Sequence, residues 1–307
     1  MKAVRLHTYG GPEQLKYEDG IPDPQVGATT VLIRSAAASV NPIDWKIRSG
    51  ARQKDFPQAL PTILGRDVSG TVQAVGSAVH NFKAGDRVAA FTNETYAELV
   101  AVEAAIATHL PDGLNLEEAA AIPLACLTGD QLVRVATQVK SGDTILVSGA
   151  VGSVGRAALH IARKLGAKVI AGVRASQLAD AEQLGAWSIV AIDDDQALAK
   201  LGKLDAVADT VGHGTAIKLL AKIRDGGSFG YASVVPGEAQ SSFPGVAIKR
   251  VFAKPDASKV REFADDVRDG KFTMPIGRRL ALSEAAEAHR LGEQGGVGKI
   301  LLLPARA

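Results

Sequence analysis

Apolar positions along the chain change their period once, near residue 116. Before that point, short apolar runs at 3–6, 30–38, 68–75, 87–91 and 98–102 are rich in Val, Ile, Leu and Ala, and Gly, Pro, Asn and Asp separate them. Gly10-Gly11-Pro12, Asp23-Pro24 and Lys83-Ala84-Gly85-Asp86 read as turns. Short strands this close together, with few helical stretches, predict a small barrel or sandwich. Beyond residue 116, stretches 116–124 and 128–137 suit helices, with Asn115 as N-cap of the first. Strands and helices then alternate. The pattern predicts strands over 144–148, 168–173, 188–192, 205–209, 227–232 and 246–253, and helices over 154–165, 176–184, 196–201 and 215–223. Such alternation means βαβ units and a parallel sheet, and continuously apolar strands such as Ile145-Leu146-Val147 fit a sheet covered on both faces. The tail predicts helices over 257–268 and 283–293 and a lone strand at 299–303, which returns the chain to its first domain.

The strongest motif, Gly149-Ala150-Val151-Gly152-Ser153-Val154-Gly155, follows one predicted strand and opens the next helix. In that setting the first glycine makes a tight turn, Gly152 admits a pyrophosphate and Gly155 lets helix and strand pack closely. The anion then meets the free N–H groups of the helix start. This pattern predicts a dinucleotide-binding fold; the other reading is a purely structural turn. An NAD site carries an acid at the end of the second strand, about 20 residues on. Here no acid ends 168–173; Arg174 follows and then Ser176. A guanidinium there grips a 2′-phosphate, which favours NADP over NAD, unless Arg174 is a solvated loop residue.

Composition narrows the function classes. At 307 residues the chain is long enough for two domains. Lys plus Arg number 35 and Asp plus Glu 33, for a net charge of +2 without a basic block, and aromatics are 5%. That argues against nucleic acid and anionic membranes as partners. No leader-like apolar segment opens the chain and no run reaches the roughly 20 apolar residues of a membrane span, so the expectation is a cytoplasmic protein. Cys126 is the one cysteine, so no intramolecular disulfide forms and no multi-thiolate zinc site can be built.

With these motifs in view, the chain resembles the zinc-free, zeta-crystallin-like quinone oxidoreductases of the medium-chain dehydrogenase/reductase superfamily. The likeness runs through Gly10-Gly11-Pro12-Glu13, Val40-Asn41-Pro42-Ile43-Asp44, Pro61-Thr62-Ile63-Leu64-Gly65-Arg66-Asp67-Val68-Ser69-Gly70 and Gly85-Asp86-Arg87-Val88. It continues through Leu110-Pro111-Asp112-Gly113, Glu117-Glu118-Ala119-Ala120, Leu127-Thr128-Gly129, Ser141-Gly142-Asp143, Asp209-Thr210-Val211-Gly212 and Gly298-Lys299-Ile300-Leu301-Leu302. The resemblance implies an α/β protein: a GroES-like β-barrel catalytic domain from 1–121 and 256–307, and a doubly wound Rossmann domain that binds NADP, NADPH in its reduced form, over 122–255. It implies a homodimer joined through the Rossmann sheets. Matched by motif, Asn41 and Thr128 stand near the nicotinamide, and Gly149, Val151, Gly152, Ser153, Val154 and Gly155 hold the pyrophosphate. Arg174 and Ser176 take the 2′-phosphate, and Ile192 falls where relatives often have a Tyr beside the adenosine. Val211, Gly212, Gly230 and Tyr231 line the cofactor groove at strand ends. The sequence departs from relatives at Val151 and Ser153, which replace smaller residues, at Lys46, where some carry Tyr, and over 51–56, which has no Tyr.

Zinc-bearing members of the superfamily hold the metal through Cys, His and Cys. The corresponding positions here are Asn41, Arg66 and Leu124. Without a Lewis acid the hydride acceptor must already be electron-poor, which points to a quinone or an α,β-unsaturated carbonyl compound. In that chemistry Asn41 can donate to a developing oxyanion. Lys46 can do the same or steady the cofactor, and Asp44 orients a neighbour rather than acting as an acid. The bland reading of 41–44 is a capped loop. An enoyl-thioester reductase and a non-catalytic NADPH-binding sensor or structural protein are the other functions open to this scaffold. The six histidines form no metal-spaced pair; His160 and His289 read as packed or surface residues. Trp45 suits either a cleft wall or the core, and Trp187 the core. Ser148 and Ser153 lack the flanks of a nucleophile elbow, which excludes a hydrolase.

Overall fold

A computed structural model describes residues 1–304 and divides into two compact units. One comprises Met1–Leu124 and the segment from Pro255 onward; the other is Ala125–Lys254.

The first unit is built around one long strand, Thr30–Val40. Its first half is β-branched and leucine-rich and pairs with Leu99–Glu103. Its second half, Ser35-Ala36-Ala37-Ala38-Ser39, is small enough for strands to close on it, and Asp67–Val75 runs antiparallel along most of its length. The sheet order is Ile276–Ala281, Lys299–Leu303, Thr30–Val40, Asp67–Val75, Arg87–Phe91, Ala107–His109. Val31, Ile33, Val68, Val72, Val88 and Val100 bury one face of it. A second cluster, with Leu6, Val40, Ile47, Tyr96 and Leu302, packs the three-stranded sheet of Leu15–Glu18, Ala3–Leu6 and Thr62–Ile63. The terminal strand is not alone, as the pattern suggested. It sits between Thr30–Val40 and Ile276–Ala281, which Arg278 and Arg279 had disguised as loop. Residues 41–44, which could be read as a capped loop, open a short helix, Pro42–Arg48, whose start is set by Pro42 at its first position and Asn41 before it.

The second unit is a six-stranded parallel sheet in the order Ser188–Ala191, Lys168–Val173, Thr144–Ser148, Leu204–Asp209, Ile223–Tyr231, Ala247–Arg250. Numbered by chain order this is 3-2-1-4-5-6, the doubly wound arrangement with its switch point between the first and fourth strands. Leu146, Ile170, Val207, Leu219 and Phe229 form its core, as continuously apolar strands demand.

The two helices expected over 116–137 are one run. A 3₁₀ turn at Glu118–Ala121 leads into Pro123–Gln131 and then a π turn at Leu132–Thr137. Gly129 marks a close approach: a Cβ there would lie 2.6 Å from the Ala158 amide nitrogen. The merged helix, Glu118–Thr137, is long and apolar enough by composition to cross a bilayer, contrary to the expectation from shorter runs. Its most apolar window is 78% buried within the protein. Trp187 is also corrected. It is 66% exposed, with Lys168 Nζ over its ring, because it precedes its strand rather than lying in it.

Candidate active site

At the switch point of the parallel sheet, Ser148 and Asp209 end adjacent strands and clamp them together. Ser148 Oγ donates to Asp209 Oδ1 (2.6 Å), the Thr210 N–H donates to Ser148 Oγ (2.9 Å) and Thr210 Oγ1 donates to the Ser148 carbonyl (2.7 Å). Ser233 Oγ and the Gly212 N–H also donate to Asp209. The glycine loop rises from this clamp. Gly149 turns at φ +62°, and a Cβ there would lie 2.5 Å from Thr210 Oγ1. A Cβ at Gly155 would lie 2.2 Å from the Gly149 carbonyl oxygen, so only glycine lets helix Ser153–Lys164 start so close to the strand. Gly152, the helix N-cap, is exposed, and no side chain caps the helix. These features fit a dinucleotide: an open glycine and an uncapped 12-residue helix offer an anion free N–H groups and the positive end of the dipole. Val151 on the loop and Ser153 and Val154 in the first turn of the helix are half-buried.

The other residues assigned to this unit divide. Arg174 and Ser176 are exposed just past the end of Lys168–Val173, and the Arg174 guanidinium makes no hydrogen bond to a described residue. The Ala175 N–H is held by Asp193 (2.8 Å). Val211 is exposed at the strand end, beside buried Gly212. Ile192, expected beside the adenosine, is buried in the sheet core and presents almost no surface. Gly230 serves packing, since a Cβ there would meet Ala136 at 2.7 Å; Tyr231 is half-buried in the core. Thr128 is buried on helix Pro123–Gln131.

In the first unit, Asn41 and Asp44 belong to a buried polar network that sequence reasoning left mostly unseen. Asn41 Nδ2 donates to Asp67 Oδ2 (2.8 Å), and its Oδ1 accepts from Lys299 Nζ (2.5 Å). Weaker bonds from Nδ2 reach the carbonyl and hydroxyl oxygens of Ser39. Both ends of the amide are thus engaged, which corrects the expectation that Asn41 donates to a substrate oxyanion. Asp67 gathers further donors: Ser39 Oγ (2.5 Å) and the Leu124 N–H (2.7 Å), with Lys299 Nζ at 3.8 Å. Of Asn41, Arg66 and Leu124, the positions that the family resemblance aligns with zinc ligands, two are tied by Asp67. Among the described residues no group of three or more His, Cys, Asp and Glu side chains is arranged to hold a metal, and Cys126 is a buried core residue.

A second chain of bonds fixes Asp44. Its Oδ2 accepts from the Asn41 N–H (2.8 Å) and from Tyr96 Oη (2.9 Å). Having given its one proton to Asp44, Tyr96 Oη accepts from His289 Nε2 (3.1 Å). His289 Nδ1 then accepts from Arg48 Nη1 (3.3 Å), and Arg48 Nη2 pairs with Glu293 (2.6 Å). Neutral histidine satisfies this sequence. Burial, with the Arg48 charge second, pulls its pKa down to about 3. Burial likewise raises the Tyr96 phenol well above its ordinary value, with Asp44 adding to it. His289 is thus an inward-facing member of a network, not a surface group. The signal for it was the apolar face of its helix, which places His289 beside buried Ala285 and Ala288.

Asp44 also lines a cleft of about 390 Å³ together with Phe56, Gln58, Arg66 and Glu94. Burial raises the Asp44 carboxyl to about 7, against the lowering effect of its two donors. Asp44 Oδ1 and Arg66 Nε are buried without a hydrogen-bond partner among the described residues. The Arg66 guanidinium lies 5.5 Å and 5.2 Å from the ring centres of Phe56 and Phe91, and burial lowers its pKa. Lys46 is exposed on its helix and is not part of the cleft lining.

Comparison with known proteins agrees along the chain. Residues 27–112 match the alcohol dehydrogenase GroES-like domain and 184–302 the zinc-binding dehydrogenase domain. A quinone oxidoreductase of Pseudomonas aeruginosa is 34% identical over 99% of both chains. A chloroplastic NADPH-dependent alkenal/one oxidoreductase of Arabidopsis thaliana is 35% identical over 74% of this chain and 61% of its own. The structure of Escherichia coli quinone oxidoreductase complexed with NADPH superposes with a TM-score of 0.88 at 26% identity, over 99% of this chain and 100% of that one.

Proposed function

Because this chain belongs to the zeta-crystallin-like quinone oxidoreductase branch of the medium-chain dehydrogenase/reductases, we propose that it reduces quinones and α,β-unsaturated carbonyl compounds with NADPH. The observation that carries the reading is the open glycine loop at the sheet's switch point, with Arg174 rather than an acid beyond the second strand. Gly152, Ser153 and Val154 hold the pyrophosphate; Arg174 and Ser176 hold the 2′-phosphate. NADPH, when bound, supplies the hydride. Among the described residues no His, Cys, Asp and Glu set is arranged to hold a carbonyl-polarising metal, which favours an acceptor already conjugated. Asn41, locked between Lys299 and Asp67, holds the first unit's buried polar network together rather than donating to substrate.

We further place the protein in the cytoplasm, where a chain with one buried cysteine needs no oxidising compartment. It works there as a homodimer. Ala247–Arg250 ends the parallel sheet with one edge open, and Phe252 is exposed next to it. Light scattering should give twice the 31.9 kDa chain mass.

The activity test mixes the purified protein with NADPH or NADH, chelator present, and follows loss of reduced nicotinamide with a small quinone and an aliphatic enone. Consumption with NADPH and little with NADH is expected. Bound NADPH without consumption would overturn the proposal in favour of a thioester reductase or a sensor.

A further inference from the structure

The cleft beside Asp44 has two features that its own residues leave unsatisfied. The Arg66 guanidinium lies over the rings of Phe56 and Phe91 and makes no hydrogen bond to a described residue. Asp44 Oδ2 is taken by Asn41 and Tyr96, while Oδ1 has no hydrogen-bond partner among the described residues although the residue is only 1% exposed. The two side chains line the same cleft without forming an ion pair. Buried polar groups are rarely left open, so these two atoms are points at which a ligand can bind. A ligand that uses both offers an acceptor to Arg66 and a donor to Asp44.

The charge of the lining narrows the choice. Asp44, Asp55 and Glu94 face one cation, Arg66. Asp55 is already paired with Arg52 (2.9 Å). An anionic ligand would meet Glu94 and Asp44 as well as Arg66, so a neutral one suits the cleft better. The volume suits a molecule of one or two rings.

We propose that this cleft is the substrate pocket and that Arg66 and Asp44 select a neutral conjugated carbonyl compound carrying a hydroxyl beside its carbonyl, the carbonyl oxygen accepting from Arg66 and the hydroxyl donating to Asp44. This rests on the reductase reading above and deepens it. Arg66 faces the oxygen on which charge gathers as hydride adds, so its contribution grows toward the transition state. The two phenyl rings keep the fork from swinging away. The Arg48–His289–Tyr96 chain holds Asp44 by one oxygen and leaves the other for the ligand.

The test compares 1,4-naphthoquinone with its 5-hydroxy derivative in the wild type, Arg66→Met and Asp44→Asn, together with equilibrium dialysis of the hydroxyquinone and titration with NADPH. The wild type should prefer the hydroxyquinone in kcat/KM. Arg66→Met should lower kcat/KM for both quinones by about 100-fold or more, the usual result of removing one donor to a developing oxyanion. It should weaken hydroxyquinone binding about 10-fold and leave NADPH binding unchanged. Asp44→Asn should abolish the preference, bringing kcat/KM for the hydroxyquinone down to that for the plain quinone. Arg66→Gln, which keeps a polar end of similar length, replaces the Met variant if that does not fold. Reduction of both quinones by the wild type, with Arg66 variants within twofold in kcat/KM and in binding, would overturn the pocket and leave the reductase reading standing. Arg66-dependent binding without turnover in the wild type would keep the pocket and overturn the reductase reading.

Discussion

The two units assemble their polar groups in opposite ways. In Ala125–Lys254 the site is made of backbone: a glycine turn, an uncapped helix start and strand ends, with Ser148, Asp209 and Thr210 joining two neighbouring strands. In the first unit the site is made of side chains that come from distant parts of the chain. Asn41 meets Asp67 26 residues away and Lys299 258 residues away; Asp44 meets Tyr96, which meets His289 193 residues on. A backbone site tolerates side-chain change wherever the chain's path is kept. A network of buried charges tolerates little, because each deletion strands a partner away from water.

That contrast breaks most sharply at Lys299, which is 4% exposed. Lys299→Met leaves Asp67 and the Asn41 carbonyl oxygen without their cation. The expected loss is roughly 3–5 kcal/mol, the range for breaking a buried pair. It should appear as a fall in Tm of roughly 6–20 °C. A change of under 2 °C would show that the network contributes little to stability.

On the other unit, Arg174→Ala should weaken NADPH binding by about 10- to 100-fold, the worth of charged hydrogen bonds to a phosphate, and leave NADH binding and Tm unchanged. Equal losses for both cofactors in a fluorescence titration would contradict the assignment of Arg174 to the 2′-phosphate.

The Asp44 carboxyl, raised by burial to about 7 in the fold, ionises at about 3.8 in the unfolded chain. Its stabilising effect is therefore full below about pH 4 and is lost as pH rises through about 7. The Tm of wild type minus that of Asp44→Asn should fall steadily from pH 4 to 7 and then level off. His289 is present in both proteins and cancels from the difference. A difference that is flat with pH would show Asp44 ionised throughout. The smallest effect belongs to the surface: Trp187→Ser should change stability by no more than about 0.5 kcal/mol, since it loses an exposed ring over Lys168.

What could be read in advance follows the same division. The strand–Gly149–Gly155–helix unit is contiguous, and each glycine carries its own geometric reason, so the loop and the parallel sheet were legible in the pattern. So were helix Ala257–Arg268 and strand Lys299–Leu303, which the structure matches end for end. Strand Ile276–Ala281 was not, because two arginines break its alternation. Helix Pro42–Arg48 was not, because seven residues with one turn of caps resemble a loop.

The sequence by itself determined the alternation of strands and helices and the strand–glycine turn–helix unit, since those depend on residues near one another along the chain. Only the tertiary structure decided that Asn41 spends its amide on Lys299 and Asp67, that Asp44 keeps one oxygen open among the described residues, and that Arg66 lies over the rings of Phe56 and Phe91. The reason is physical. Neighbours along the chain set backbone conformation, but the partner of a buried charge is set by whichever strand the fold brings against it.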